Sequence, residues 1–156
     1  MKHINEIPHI APTTMTSIND FTPCPIMDED EYYGSIFSIN VTALIAYINK
    51  QQEAFYTFDM DINNGIYKPP DMSEFKFHDT PGLYVELSPN NYALVDGRHR
   101  QWYRRERGES HFRCIVVRYP AFIPFLTTMK GYGVFVPYWN SKVEEYHHNQ
   151  ARKATR

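Results

Sequence analysis

The sequence has little cysteine, only Cys24 and Cys114 in 156 residues. Two thiols supply neither a disulfide framework nor a zinc set, and they suit a reducing cytosol. Long apolar runs are missing as well. The start, Met1 to Pro8, has no run of signal-peptide length. The most apolar later stretch, Tyr119 to Trp139, is broken by Pro120, Pro124, Lys130 and Pro137. A membrane span needs roughly 20 clean apolar residues, so no membrane association is expected and a cytoplasmic location is. There is no Ser–His–Asp, zinc or Walker pattern, which leaves those catalytic classes without their residues. Internal repeats and low-complexity linkers are absent too.

What is present fits one globular domain. Hydrophobic residues make up 42% and charged residues 22%, enough to bury a single core in a chain of this length. With 12 Tyr and 10 Phe, that core is expected to be built largely from rings. The expected organisation is a loosely held lead-in over 1–20, one domain over 21–140, and a basic helical tail over 141–156. Charge is split along the chain. Residues 1–96 carry 14 acids and 4 bases, a net of −10, and residues 97–156 carry 12 bases and 4 acids, a net of +8. Two readings stand: a phosphate-bearing partner for the second half, or pairing of the halves within the molecule.

Along the chain, Thr22 to Met27 reads as a short extended piece punctuated by Pro23 and Pro25. Asp28-Glu29-Asp30-Glu31 reads as a solvated turn in preference to a metal site, because adjacent side chains do not converge on one point. The strongest helix is Val41 to about Glu53. Val41, Leu44, Ile45 and Ile48 form one apolar stripe, and Asn40 stands at the N-cap position. Phe55 to Phe58 is strand material, with Asp59 and Asp61 on one face as a polar edge or, alternatively, a metal pair. Turns are expected at Asn63-Asn64-Gly65 and Lys68-Pro69-Pro70-Asp71. Leu83 to Leu87 and Tyr92 to Val95, joined by Ser88-Pro89-Asn90-Asn91, read as a β-hairpin. A helix from Arg98 to Arg107 ends at Gly108, and Phe112 to Val117 is a buried-type strand. The last helix is expected from Ser141. His147-His148 lack the accompanying ligands of a metal site and read as an exposed tail.

The chemistry concentrates in Leu94-Val95-Asp96-Gly97-Arg98-His99-Arg100. A glycine between a strand and a helix lets backbone approach a phosphate, and the first N–H groups of the helix add partial positive charge. Arg98, His99 and Arg100 bring further donors, and Arg104 lies one turn beyond Arg100. The competing reading is an ordinary arginine-rich surface helix.

This box, with its flanking strands, its helix ending at Gly108 and the strand Ile115-Val116-Val117, resembles the ParB/sulfiredoxin superfamily over Leu83 to Val117. The resemblance implies an α+β fold, a small ParB/Srx-like domain in which helices pack around a mixed sheet. It also implies that Gly97, His99 and Arg100 bind nucleotide phosphates, with Arg98 in the variable slot. ATP or another nucleotide would be the ligand, with Mg²⁺ as its companion. Sulfiredoxins place their catalytic cysteine where Arg98 stands, so sulfinic-acid reduction is not expected. Partition proteins often carry Glu there, and only 39 residues follow Val117, too few for a DNA-reading and dimerisation module. Tyr103 also stands where a small residue is common.

Catalysis would need a metal and a base near the phosphate. Asp96 and His99 are the candidates, against the simpler roles of helix N-cap for Asp96 and phosphate donor for His99. Asp28, Glu29 and Asp30 are a second acidic supply if the N-terminal region folds over the site. The leading expectation is a nucleotide-phosphate-binding domain, with weak ATPase or nuclease activity in a plasmid or phage accessory system such as conjugation inhibition. The alternatives are a DNA- or RNA-backbone-binding module without hydrolysis, and a protein-interaction or inhibitor domain that has lost the ligand.

Overall fold

The computed structural model describes residues 4–16, 20–34, 37–51, 56–61, 69, 71–72, 76, 80–109 and 111–154. The chain opens with a 3₁₀ turn (Ile4–Glu6) and a short antiparallel hairpin, β1 (Tyr32–Gly34) and β2 (Ser38–Asn40), which leads directly into α1 (Val41–Lys50). Then come β3 (Tyr56–Asp61), β4 (Gly82–Ser88), β5 (Asn91–Asp96), α2 (Arg98–Glu106), β6 (His111–Val117) and α3 (Met129–Ala154). The fold class is α+β, as the sequence implied: among the described residues there are three α-helices, a mixed sheet and a separate two-stranded hairpin.

Helix α1 forms because Asn40 caps it, its Oδ1 accepting from the Ala43 N–H at 3.0 Å, and because Val41, Leu44 and Ile48 have a core to enter. It stops at Lys50, short of the expected Glu53. The apolar stripe ends at Ile48, and Gln51 turns extended (φ −75°, ψ 130°). The piece expected to be extended at Thr22 to Met27 joins no sheet, and Cys24 N–H bonds to the Leu126 carbonyl at 2.8 Å. The two predicted turns between 63 and 71 lie mostly outside the described residues, as does Phe55.

The sheet has the order β3-β6-β4-β5. Strands β4 and β5 form the expected hairpin, β4 and β6 run parallel with Leu83 opposite Ile115, and β3 pairs antiparallel with β6. Helix α2 therefore carries the chain from β5 to the far side of β4. Strand β4 is buried on both faces. Leu83, Val85 and Leu87 join the main core, whereas Tyr84 meets Cys114, Val116, Ile4 and Ile7 on the other side. A central strand covered on both faces reads as a continuous run rather than an alternation, which matches Leu83-Tyr84-Val85-Glu86-Leu87.

Helix α3 begins twelve residues before its expected start and passes through Pro137. Proline removes an N–H and crowds the carbonyl four residues back. Here that residue is Gly133, which is exposed and has no side chain to add to the crowding. Tyr132, Phe135, Trp139 and Val143 recur at helical spacing and are all buried. Burying those rings outweighs a local penalty of about 3 kcal/mol. The core is indeed ring-rich. Phe21 stacks on Tyr132 at 3.9 Å, Tyr119 on Trp139 at 4.0 Å, and Phe122 meets Phe135 edge-on at 5.5 Å. Among the described residues no helix is long and apolar enough to cross a membrane.

Candidate functional site

Strand β5 ends at Asp96, and the chain turns into α2 through Gly97 at φ +105°. That conformation is costly for any residue with a Cβ. A Cβ at this position would also lie 3.0 Å from Arg100 Nη2 and 3.1 Å from the Gly82 Cα. The glycine is thus required by the backbone turn and by the close approach of β4. Helix α2 ends as expected, with Gly108 at φ +81°. Its N–H bonds to the Arg105 carbonyl and the Glu109 N–H to the Arg104 carbonyl, the two bonds of a Schellman ending. Gln101 anchors the inner face of α2 by donating to the Tyr84 hydroxyl at 2.9 Å. Burial pushes the Tyr84 phenol up to about 12, with the Gln101 hydrogen bond opposing.

The box residues do not all point the same way. Arg100 is buried and its guanidinium reaches back over the junction. Nε donates to the Thr80 carbonyl at 3.1 Å, and Nη2 to the Pro81 carbonyl at 3.2 Å and to Asp96 Oδ2 at 3.4 Å. Asp96 is not the N-cap of α2. Gly97 holds that position with no side-chain cap, and the Asp96 carboxylate pairs with Arg100 instead. His99 Nε2 lies 2.9 Å from the Asp71 carbonyl, and since a carbonyl only accepts, Nε2 carries the proton there. Arg104 pairs with Glu109 at 2.9 Å, and Arg98 is exposed on the first turn.

Asp96, Gly97, His99 and Arg100 line one open cavity of about 920 Å³, which Arg98 and Arg104 do not line. The rest of the lining comes from far away in sequence: Asp30, Glu31, Asp71 and Lys76 contribute charged groups, and Ile45 of α1 an apolar one. Of the expected N-terminal acids only Asp30 reaches the cavity, joined by Glu31, and Asp28 and Glu29 do not line it. The run from Asp28 to Glu31 is a turn, with Glu29 at φ +70° and Asp30 Oδ2 accepting from the Met27 N–H at 2.8 Å and from Asn40 Nδ2 at 3.1 Å. Next to it the Cys24 thiol is pushed up by burial and by the Asp30 charge, against a hydrogen bond from Asn40. Lys76 and Glu31 belong to the cavity without any motif announcing them, because only the fold brings them there.

The charge split is partly resolved inside the molecule. Asp96 pairs with Arg100, and Glu86 pairs with Arg118 at 3.1 Å across the two halves. Among the described residues no group of three His, Cys, Asp or Glu could hold a metal by protein ligands alone. His147, read as part of an exposed tail, donates to the Pro12 carbonyl at 3.0 Å. Strand β3 places Asp59 and Asp61 opposite Arg113 and His111 in register.

No protein-family model, no curated protein and no solved structure matches this chain.

Proposed function

We propose that the cavity between α2 and the Asp30-Glu31 turn binds the phosphate chain of a nucleotide together with Mg²⁺. The observation that supports this most is the left-handed glycine at the β5–α2 junction, opening onto a cavity of about 920 Å³. Ligand cavities commonly fall between about 300 and 1,000 Å³. Gly97 brings backbone close, the first turn of α2 brings its dipole, and His99, Lys76 and Arg100 bring donors or positive charge. The carboxylates in the same lining would repel a bare anion. They suit a magnesium complex, since Mg²⁺ is usually held by one or two carboxylates plus the phosphates themselves. Asp30 and Asp96 are the residues that would face the ion.

The strand, glycine box, helix and parallel strand are the parts on which the resemblance to the ParB/sulfiredoxin superfamily rests. Membership in that superfamily, and a role in a plasmid or phage accessory system, are part of the proposal. Binding is the assigned function rather than turnover. His99 Nε2 is engaged with the Asp71 carbonyl and the Asp96 carboxylate with Arg100, contacts that suit holding a ligand. Isothermal titration with ATP, CTP and GTP, each with and without Mg²⁺, tests the reading. Saturable, Mg²⁺-dependent binding that weakens at least tenfold in Lys76→Ala and His99→Ala is expected. Absence of binding by all three nucleotides would refute it.

One observation favours a second reading. Arg98, Trp102 and Arg105 lie one turn apart along α2, and the Arg105 guanidinium sits over the Trp102 ring at 5.2 Å. A stripe of arginines with a ring suits a nucleic-acid backbone with stacked bases. Affinity would then fall by about one power of salt concentration per phosphate neutralised. A nucleotide in a cavity would show a weaker dependence.

A further inference from the structure

Residues 8–15 have no helix or strand, yet they cross the molecule along α3 and the β4–β5 turn on a regular set of side-chain contacts. Asn90 grips one residue of this strap through both backbone groups. Its Oδ1 accepts from the Ile10 N–H at 2.9 Å and its Nδ2 donates to the Ile10 carbonyl at 3.0 Å. Asn140 does the same to Met15, at 2.6 and 2.9 Å. Between the clamps, His147 donates to the Pro12 carbonyl at 3.0 Å and Trp139 Nε1 to the Thr13 carbonyl at 2.9 Å. Arg118 Nη1 adds the Pro8 carbonyl at 2.9 Å.

All of these contacts read backbone. Ile10, gripped through both its N–H and its C=O, remains 57% exposed, and within 8–15 only Pro12 is buried. A pair of carboxamides that each take the N–H and the C=O of one residue imitates a neighbouring strand, the means by which extended peptides are generally recognised. The strap is held mainly by individually modest hydrogen bonds, set against the ordering of eight backbone residues, and its apolar anchoring is confined to Pro12 and to Met15 at its end, with Ile7 just before it. Segments of that kind open at far lower free energy than a core.

We infer that the furrow between α3 and the β4–β5 turn is an acceptor for an extended peptide with a central proline, filled in cis by residues 8–15 and in trans by the same segment of a second copy of this chain. The second copy is the occupant because its residues 8–15 match the clamp spacing by construction. Exchange of identical segments between protomers is an established low-cost route to dimers.

The test uses the full chain. Ile10→Pro with Met15→Pro removes the two N–H groups that the clamps accept and leaves the furrow intact. Fluorescence anisotropy of a labelled peptide of residues 7–16 should show saturable binding to this variant. Binding should be at least tenfold weaker to the wild type, whose own strap competes, and lost when Asn140→Ala is added. Mixing the double-proline chain with an Asn90→Ala, Asn140→Ala chain, which keeps its strap but lacks the clamps, should give a heterodimer by sedimentation. Peptide binding without that heterodimer would overturn the second copy as occupant, and no peptide binding to a folded double-proline chain would overturn the acceptor itself. Should that chain fail to fold, hydrogen exchange on the wild type decides. The Ile10 and Met15 amides should exchange together and at least 100-fold faster than amides of β4, and protection equal to β4 would refute a releasable strap.

Discussion

Glu86 offers the sharpest test of the packing argument. Its side chain is buried in the central strand, and its carboxylate takes Arg118 Nε at 3.3 Å and Nη2 at 3.1 Å, Asn90 N–H at 2.7 Å and Tyr119 N–H at 3.0 Å. One carboxylate thus ties β4 to the end of β6 and to the hairpin turn. Glu86→Gln keeps the size but removes the charge and replaces one acceptor oxygen by a donor, so N–H would face N–H. Breaking a buried pair from one side costs about 3–5 kcal/mol. Arg118 keeps Asn90 Oδ1 at 2.8 Å, the Pro8 carbonyl and the Tyr92 ring at 5.7 Å, which places the expected loss at the lower end. We expect about 3 kcal/mol by urea denaturation, a midpoint lower by about 1–2 M for a domain of this size. Arg118→Met should cost a similar amount, and the double variant less than the sum of the two. A loss below about 0.5 kcal/mol for Glu86→Gln, the size of an ordinary surface change, would refute the reasoning.

Three further outcomes follow from particular residues. Tyr84 ionises at about 12 in the folded chain against 10 unfolded, so its contribution is whole below pH 10 and is lost as pH rises through the folded value. Stability should fall by about 2–3 kcal/mol more in the wild type than in Tyr84→Phe between pH 10 and 12, measured by urea midpoints. Asn40→Ala removes the α1 cap and the donations to the Pro25 carbonyl and to Asp30 Oδ2, each at 3.1 Å. It should cost about 1–2 kcal/mol, with Asn40→Ser recovering only the cap's share in a thermal melt. Gly97→Ala forces a Cβ into a left-handed turn against Arg100 and Gly82. It should destabilise by about 1–2 kcal/mol and abolish nucleotide binding by calorimetry, whereas unchanged affinity would remove the backbone from the site.

Much of the fold was legible because its signals are local. The stripe Val41-Leu44-Ile48 behind Asn40, the hairpin around Ser88 to Asn91, and the stop at Gly108 depend on residues within one or two turns of each other. The β1–β2 hairpin was not legible, since its three-residue strands carry too little pattern. The start of α3 was misplaced because Pro137 states its penalty locally, whereas the burial of Phe135 and Trp139 that outweighs it depends on Phe37, Phe122 and Tyr119.

For the site, the sequence alone determined that a glycine would stand between a strand and a helix with basic residues after it. A left-handed turn there demands that residue, and the amphipathic pattern places the helix. Tertiary structure alone decided where the charges go. Arg100 turns inward to the Thr80 and Pro81 carbonyls, Arg98 stays outside, and Asp30, Glu31 and Lys76 close the cavity from the other side. Side-chain direction depends on which acceptors the fold presents, and for His99 that acceptor lies 28 residues away in the chain. No spacing rule reaches that far, because only packing brings such groups within hydrogen-bond distance.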